Sequence, residues 1–504
     1  MRLRQLLRGC HRWLGAMLCV LFVVWFASGI VLTFAGFPSL SERERLANAA
    51  PLEARSLRLR PAAALSGVMD LADSVVLEAL GRRAVYKVYA GPRTVAVFAD
   101  NGSQVTLLDE RTAVAAVAPW LHGALPEVSR ISEVDQWTPQ ANQHGELPFL
   151  RLRVPDAAGT ELYVSLVNGN VVQQTSTRSR FLAWVGAIPH WIYPIQLRRH
   201  RGAWRALVIA LAALGALASA TGLIHGLATA RTARRLPHGR QLPLSPFQDR
   251  WLAWHHLLGL VFGLLSFSWV FSGLLSFYPF ASSAEGEPTW ADIAAFRGGA
   301  LAPRSFSRDL RQALAECENA LGSSIKRIEF VRAGGAPFYI CKNGAGAART
   351  VSADAAAQPG ATLRSAQIVA FARPLGGAAA VKSETWLQEG DAYYYPSHFE
   401  PDLPFPILRT RFAGGLVTYV SSRDLSVIRR YSNGGAAYRW LYHGLHSLDL
   451  PFLYRRAWLW HPLIVIALLG GLTLAASSAW LSVRWSRRHL AQRSAMRSHE
   501  ANAS

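Results

Sequence analysis

An apolar segment that begins with a histidine occurs twice in this chain, 244 residues apart, and its two copies align without a gap. HRWLGAMLCVLFVVWFASGIVLTF (11–34) lies over HHLLGLVFGLLSFSWVFSGLLSFY (255–278). The matched positions are His11 with His255, Gly15 with Gly259, Trp25 with Trp269, and Ser28-Gly29 with Ser272-Gly273. A self-similar chain is expected to fold as copies of one unit. The sequence therefore predicts an internal two-fold repeat.

A second segment repeats at an offset of 256 residues. Its matched positions are Tyr163-Val164-Ser165 with Tyr419-Val420-Ser421, Trp184 with Trp440, and His190 with His446. In the first copy Asn168-Gly169 separates ELYVSLV from VVQQTS, which is a strong signal for a hairpin turn. Each copy is thus predicted to hold an apolar span, a domain that ends in a hairpin, a tryptophan, a histidine and a return span.

Four apolar runs, at roughly 13–35, 204–228, 257–280 and 459–483, are each long enough to cross a hydrocarbon core of about 30 Å. Arginines cluster before the first run, between the second and third, and after the fourth; among them are Arg2, Arg4, Arg8, Arg12, Arg231, Arg234, Arg235, Arg240, Arg250, Arg484, Arg487 and Arg488. The positive-inside rule makes that side cytoplasmic. The formal charge of +21 is then a topology signal, and we expect no nucleic-acid partner.

The expected fold is an integral membrane bundle of four transmembrane helices with two outer α+β domains. The predicted division is 1–35, cytoplasmic N-terminus and first span; 36–203, first outer domain; 204–229, second span; 230–254, basic cytoplasmic loop; 255–280, third span; 281–458, second outer domain; 459–484, fourth span; and 485–504, basic cytoplasmic tail. In the second outer domain, Cys317 and Cys341 form either a disulfide or two buried free thiols.

The histidines fall into two groups by depth. The inner group is His11, His225, His255 and His256, and the outer group is His190, His443, His446 and His461. Haem iron accepts axial histidines from facing helices, whereas zinc and copper sites usually gather three or four ligands. We therefore expect His11 to pair with His255 and His190 with His446. The inner pairing requires the first and third spans to be neighbours.

The remaining histidines and two arginine pairs are secondary candidates for the same sites. His225, His256, His443 and His461 have no match in the other copy and are substitutes for the paired ligands. The arginine pairs Arg198-Arg199 and Arg455-Arg456 would either neutralise haem propionates or extend from the span ends to the membrane interface.

These motifs resemble the PepSY-associated transmembrane family. H-R-W-L-G and H-H-L-L-G open the first and third spans, S-G lies near their outer ends, and a hairpin precedes a Trp and a His before each return span. Where the family usually has L-H-T/S-G, this chain has Ile188-Pro189-His190-Trp191 in the first copy and Leu445-His446-Ser447 in the second. The resemblance implies two periplasmic PepSY-like domains and two b-type haems held by His11, His255, His190 and His446.

The leading functional hypothesis is an inner-membrane reductase for ferric siderophores, which the resemblance also implies. The sequence contains no G-x-G-x-x-G after a strand, no phosphate-binding P-loop and no C-x-x-C, so an unidentified cytoplasmic donor or the quinone pool would supply electrons. The alternative is a membrane-tethered PepSY binding or regulatory protein that restrains a periplasmic partner such as a protease. A transporter is a weaker alternative because the spans lack polar residues near their middle.

Overall fold

The computed structural model describes residues 2–66, 68, 72–141, 144–233, 245–277, 286–396 and 403–503. The helices are α1 (Arg2–Leu32), α2 (Glu42–Ala47), α3 (Pro61–Ala64), α4 (Glu110–Ala116), α5 (Ala118–Leu121), α6 (Thr177–Val185), α7 (Ala187–His190), α8 (Ile195–Arg198), α9 (Arg201–Ala233), α10 (Arg250–Leu275), α11 (Trp290–Arg297), α12 (Leu310–Leu321), α13 (Ser365–Ala372), α14 (Asn433–Arg439), α15 (Pro451–Tyr454) and α16 (Ala457–Ala503).

The strands are β1 (Ser74–Leu80), β2 (Arg83–Ala90), β3 (Arg93–Phe98), β4 (Gln104–Val105), β5 (Glu127–Ile131), β6 (Phe149–Arg153), β7 (Glu161–Ser165), β8 (Val171–Thr175), β9 (Ile325–Ala333), β10 (Ala336–Asn343), β11 (Ala348–Ser352), β12 (Val381–Leu387), β13 (Ile407–Phe412), β14 (Val417–Ser421) and β15 (Val427–Tyr431).

Two compact units make up the chain, and each is assembled from separate segments. The membrane unit comprises Met1–Phe37, Phe181–Ser282 and Ala437–Ser504; the sheet unit comprises Pro38–Arg180 and Ser283–Ala436. The segments that carry His190 and His446 therefore belong to the membrane unit, although the sequence assigns them to the outer domains. Arg234, Arg235, Arg240 and the end of the predicted third span at 278–280 lie outside the described residues.

In the membrane unit, α1, α9, α10 and α16 are the helices of the described chain that are long and apolar enough to cross a membrane. Asp249 caps α10 by accepting hydrogen bonds from the backbone N–H groups of Trp251 and Leu252, and it also pairs with Arg484 of α16 at 2.7 Å. Both α1 and α10 pack against α9 and α16. The first and third spans are therefore diagonal in the bundle, and they face one another across it, with the ring centroids of His11 and His255 6.1 Å apart near the inner end.

Within the described residues, the largest sheet of the sheet unit has the order β11-β10-β9-β1-β2-β3-β4. Its strands pair antiparallel, and β1 joins β9 with Leu77 opposite Ile328. The two outer segments, which the sequence treats as separate domains, thus share one sheet. No alternation of polar and apolar residues marks β1 in the sequence, because three consecutive side chains, Val75, Val76 and Leu77, are buried.

Two further sheets, β5-β6-β7-β8 and β12-β13-β14-β15, have the same order and contain the two predicted hairpins. Each hairpin has a register shift after the matched tyrosine, Tyr163 or Tyr419. Tyr163 donates from its hydroxyl to Asp135 at 2.9 Å, and Tyr419 donates to Asp391 at 2.9 Å. In both copies a tyrosine hydroxyl of the hairpin therefore forms the same hydrogen bond with the carboxylate of a loop aspartate.

The two cysteines of the second outer segment form a disulfide between α12 and β10. The Cα atoms of Cys317 and Cys341 are 6.2 Å apart, which is within the usual range, and both residues are fully buried. Asp309 caps the start of α12, and Gly322 ends the helix in the left-handed region at φ 61°. The disulfide thus fastens a capped helix onto the large sheet.

Candidate functional site

His11 and His255 face one another in the membrane unit. The centroids of their rings are 6.1 Å apart, and the ring planes are inclined by 30°. His11 lies on α1 and His255 on α10, so the two rings meet between diagonal helices. The structure therefore brings the predicted inner pair together at the centre of the bundle.

Each inner histidine is held through its Nδ1 atom. His11 Nδ1 donates to the carbonyl oxygen of Ala218 at 3.0 Å. His255 Nδ1 lies 2.8 Å from the hydroxyl oxygen of Ser477, which itself donates to the carbonyl of Leu474. Because the carbonyl can only accept and the Ser477 proton is already used, both Nδ1 atoms carry a proton. The lone pair of each ring is then on Nε2.

A glycine on α9 allows the inner pair to pack against that helix. A Cβ atom at Gly222 would lie 2.4 Å from Cε1 of His11, a distance that does not occur between such atoms in folded proteins. The sequence analysis overlooks Gly222 and Ser477, because neither belongs to the repeated segments. A search for small or hydroxylated residues on the return spans at the level of His11 and His255 would have found both.

His190 and His446 form a second pair, with ring centroids 6.3 Å apart and planes inclined by 69°. His190 ends α7, and His446 follows a π-helical turn at Trp440–Gly444. Such turns are rare in proteins, and those that occur often lie at functional sites. The structure thus also brings the predicted outer pair together.

The outer histidines make the same contacts in the two copies. His190 Nδ1 donates to the carbonyl of Trp25 at 3.2 Å and lies 3.1 Å from the hydroxyl of Ser28. The matched contacts are His446 Nδ1 with the Trp269 carbonyl at 3.1 Å and with the Ser272 hydroxyl at 3.2 Å. The Ser-Gly pairs therefore contact the histidines directly. Their glycines are close as well: a Cβ at Gly29 or Gly273 would lie 3.6 or 3.4 Å from the Cε1 atom of the adjacent histidine.

The electrostatic surroundings keep the outer pair neutral. Burial, together with a smaller effect of the neighbouring His446, lowers the pKa of His190 to about 4. Burial also lowers the pKa of His446. A neutral imidazole with a hydrogen-bonded Nδ1–H is the form in which histidine binds a metal through Nε2.

The spacing of both pairs suits two axial ligands on one metal ion. An imidazole nitrogen binds a transition metal at about 2.0 Å and its ring centroid lies roughly 1.1 Å farther, so two opposed rings are about 6.2 Å apart. The observed separations are 6.1 and 6.3 Å. The described residues contain no group of three or more His, Cys, Asp or Glu side chains that could hold a metal. Two imidazoles per pair at this spacing fit the donor set of a haem ligated by two histidines.

Aromatic side chains fill the bundle between the levels of the two pairs. Phe26 and Trp269 meet across the bundle with centroids 5.8 Å apart, and both are buried. Ser28 and Ser272, which mark the outer level, each lie 17 residues after the inner histidine of the same helix. At the rise of an α-helix, this places the two levels about 25 Å apart.

Two of the substitute histidines, His256 and His461, have hydrogen-bond partners elsewhere. His256 Nε2 donates to the carbonyl of Gly226 at 2.9 Å, so the atom that would bind iron is used. His461 Nδ1 donates to Ala457 of its own helix at 2.8 Å, and its ring stacks on Phe34. His443 lies against the ring of Tyr442, and His225 lies one turn before Thr229 on α9.

Two of the arginines that follow the outer histidines in sequence, Arg198 and Arg456, have aromatic or backbone neighbours. The guanidinium of Arg198 lies over the rings of Tyr193 and Trp204, and Arg456 donates to the carbonyl of Phe452. A role of Arg198, Arg199, Arg455 or Arg456 toward propionates stays a prediction. The sequence analysis overlooks Arg439, which is 1% exposed and donates to the Asp449 carbonyl at 2.6 Å.

No protein-family model matches this sequence, and no curated protein is significantly similar to it. The chemistry of the site therefore follows from its own contacts. Those contacts are two histidine pairs with similar spacing, Nδ1 atoms held by hydrogen bonds and buried aromatic rings between the pairs.

Proposed function

We propose that this protein is a haem-containing reductase of the bacterial inner membrane. Electrons would pass from a cytoplasmic donor or the quinone pool to ferric iron held by a chelator, such as a siderophore, in the periplasm. The observation that supports this most strongly is the pair of bis-histidine arrangements, His11 with His255 and His190 with His446, at the separation that a shared metal ion requires. Two b-type haems bound there would carry single electrons across the bilayer.

The chain's own residues would bind and orient the cofactors. Backbone carbonyls and serine hydroxyls fix the four rings through Nδ1 and so leave each Nε2 to act as a ligand. Buried aromatic rings between the levels, Phe26 and Trp269 among them, exclude water. A low-dielectric, water-free path suits electron carriers because little solvent has to reorganise around them.

We further propose that the chain consists of two copies of one PepSY-like unit. The support is a set of equal contacts in the two halves: the Nδ1 bonds of His190 and His446, the hairpin tyrosines bonded to Asp135 and Asp391, and the equal strand orders. Because β1 and β9 pair, the two copies would share a sheet instead of forming separate domains.

The proposed topology has both termini in the cytoplasm and the sheet unit in the periplasm. Alkaline phosphatase fused after residue 130 or after residue 350 is expected to be active, because both positions follow an odd number of spans. Green fluorescent protein fused after residue 504 is expected to fluoresce, since it folds in the cytoplasm. A cytoplasmic result at position 130 or 350 would overturn the arrangement.

An absorption spectrum of the purified protein tests the cofactor directly. After expression with ample haem, we expect a Soret band and sharp α and β bands on dithionite reduction, with two haems per chain by extraction. Two low-spin haems follow from four neutral imidazole ligands. A chain that carries no haem under these conditions would exclude the reductase, and the membrane-tethered regulatory protein would become the better hypothesis.

A further inference from the structure

A polar cavity of about 480 Å³ lies within the sheet unit. Its wall residues belong to other segments of the chain than the histidine pairs. Both outer segments contribute to its wall, including β1, β2, β9 and the turn after β14. Small-molecule sites typically enclose about 300–1,000 Å³. The cavity is thus large enough for an organic ligand.

Part of the charge on its wall is compensated internally. Lys87 donates to Glu78 at 2.6 Å, and Arg327 donates to the same carboxylate at 2.5 Å. Glu329 pairs with Lys342 at 2.9 Å. Burial raises the pKa of Glu78, but Lys87 and Arg327 outweigh that effect and lower it to about 2. These groups already satisfy one another and leave little charge for a ligand.

Three further guanidinium groups on the wall have only backbone partners. Arg45 donates to the Leu40 carbonyl, Arg297 to that of Asp73, and Arg332 to those of Ala300 and Gly335. In the part of the chain that the structure describes, none of the three forms an ion pair. The Nε atoms of Arg45 and Arg332 are moreover buried without a hydrogen-bond partner.

The sum of these groups makes the cavity cationic. Its wall carries five basic side chains, Arg45, Lys87, Arg297, Arg327 and Arg332, and three acidic ones, Glu78, Glu329 and Asp424. Arg45, Arg297 and Arg332 are partly buried, and the Asp73 carboxylate acts on one of them, Arg297. The planar donors of a guanidinium group match carboxylates in particular. Apolar wall residues such as Trp120 and Phe296 would contact a carbon skeleton.

We infer that this cavity binds a small polycarboxylate anion, free or as its ferric complex, through Arg45, Arg297 and Arg332. The inference that an anion binds is drawn from the cavity alone. The inference that the bound anion carries ferric iron rests on the proposed function. Arg45 is the best position to test, because the hydrogen bond that it donates to the Leu40 carbonyl is long, at 3.3 Å. Replacing the Arg45 side chain should therefore leave the fold intact.

Titration calorimetry of the full-length protein in detergent, with citrate and separately with ferric citrate, tests this inference. We expect one saturable site per chain in the wild type. The R45Q variant should bind at least about tenfold more weakly, because one charge-assisted contact is lost, and Arg45→Lys should recover part of the affinity. R43Q is the matched control, since Arg43 lies on the same helix, is exposed and does not line the cavity.

The outcomes separate the cavity from the cofactor. No binding of either probe, or equal weakening by R45Q and R43Q, would overturn the inference, as would inorganic phosphate binding as tightly as citrate. Binding of citrate alone would keep the anion site and remove its link to iron. A haem spectrum recorded on the same sample reports on the proposed function independently of all these results.

Discussion

Replacing His446 by alanine is expected to remove the outer haem and leave the inner one in place. In the proposed arrangement His446 would supply one of the two axial ligands, and its partner His190, whose ring centroid is 6.3 Å away, would not hold a low-spin haem alone. The variant should therefore contain one haem per chain and about half of the wild-type Soret absorbance at equal protein concentration. His11→Ala or His255→Ala should remove only the inner haem, since the two levels are about 25 Å apart.

His461→Ala is the matched control for this experiment. His461 lies close to the outer pair in sequence, but its Nδ1 is bonded to Ala457 within its own helix, so both haems should be retained. His256→Ala should also retain both, because its Nε2 is occupied by the Gly226 carbonyl. If each single variant of the four paired histidines kept two low-spin haems, the pairing would be wrong.

The largest expected effect on stability is that of Lys87→Met in the sheet unit. The Lys87 side chain is 3% exposed and donates to Glu78 at 2.6 Å and to Asn170 at 2.5 Å. Methionine would leave the buried Glu78 carboxylate with Arg327 alone. Breaking a buried ion pair in this way costs about 3–5 kcal/mol. Circular dichroism of the detergent-solubilised protein should show the thermal transition of the sheet unit lowered by about 5–10 °C.

Arg55→Met provides the comparison with an exposed ion pair. Arg55 contacts Glu53 on the surface, and 74% of the Arg55 side chain is exposed. Water and salt screen such a pair, so its removal should leave the thermal transition nearly unchanged. Similar transitions for Lys87→Met and Arg55→Met would show that the buried ion pair contributes no more to stability than the exposed one.

Local patterns in the sequence are sufficient to predict the elements whose structure depends on residues nearby in the chain. Four helices of the described chain are apolar and long enough to cross a membrane, as hydropathy predicts, because a segment in lipid must satisfy its own backbone and expose apolar side chains. The hairpin between β7 and β8 turns at Gly169 with φ 74°, a conformation that favours glycine. The paired histidines were found because both copies keep them in register.

Other predictions made from the sequence required knowledge of distant neighbours. Apolar alternation predicts a strand at 104–109, but the strand is limited to Gln104–Val105, which pairs with β3. The segment AVAAVAPWL (113–121) predicts one helix, but the helix is divided at Val117, with Pro119 in the first turn of α5, because proline lacks the N–H that a continuous helix needs. Gly222 and Ser477 lie outside the repeated segments, and their roles arise from His11 and His255 on other helices.

The sequence by itself determined the apolar spans, the hairpins and the identity of the paired histidines, because each depends on spacing along one short segment. Only the tertiary structure decided that α1 and α10 are diagonal, that β1 joins the two outer segments through β9, and that Arg45, Arg297 and Arg332 line one cavity. These arrangements depend on packing between residues up to about 290 positions apart, and a long-range contact leaves no periodic pattern in the chain. The physical reason is that apolar side chains pack, and buried polar groups form hydrogen bonds, with whichever residues are near in space, regardless of their separation in sequence.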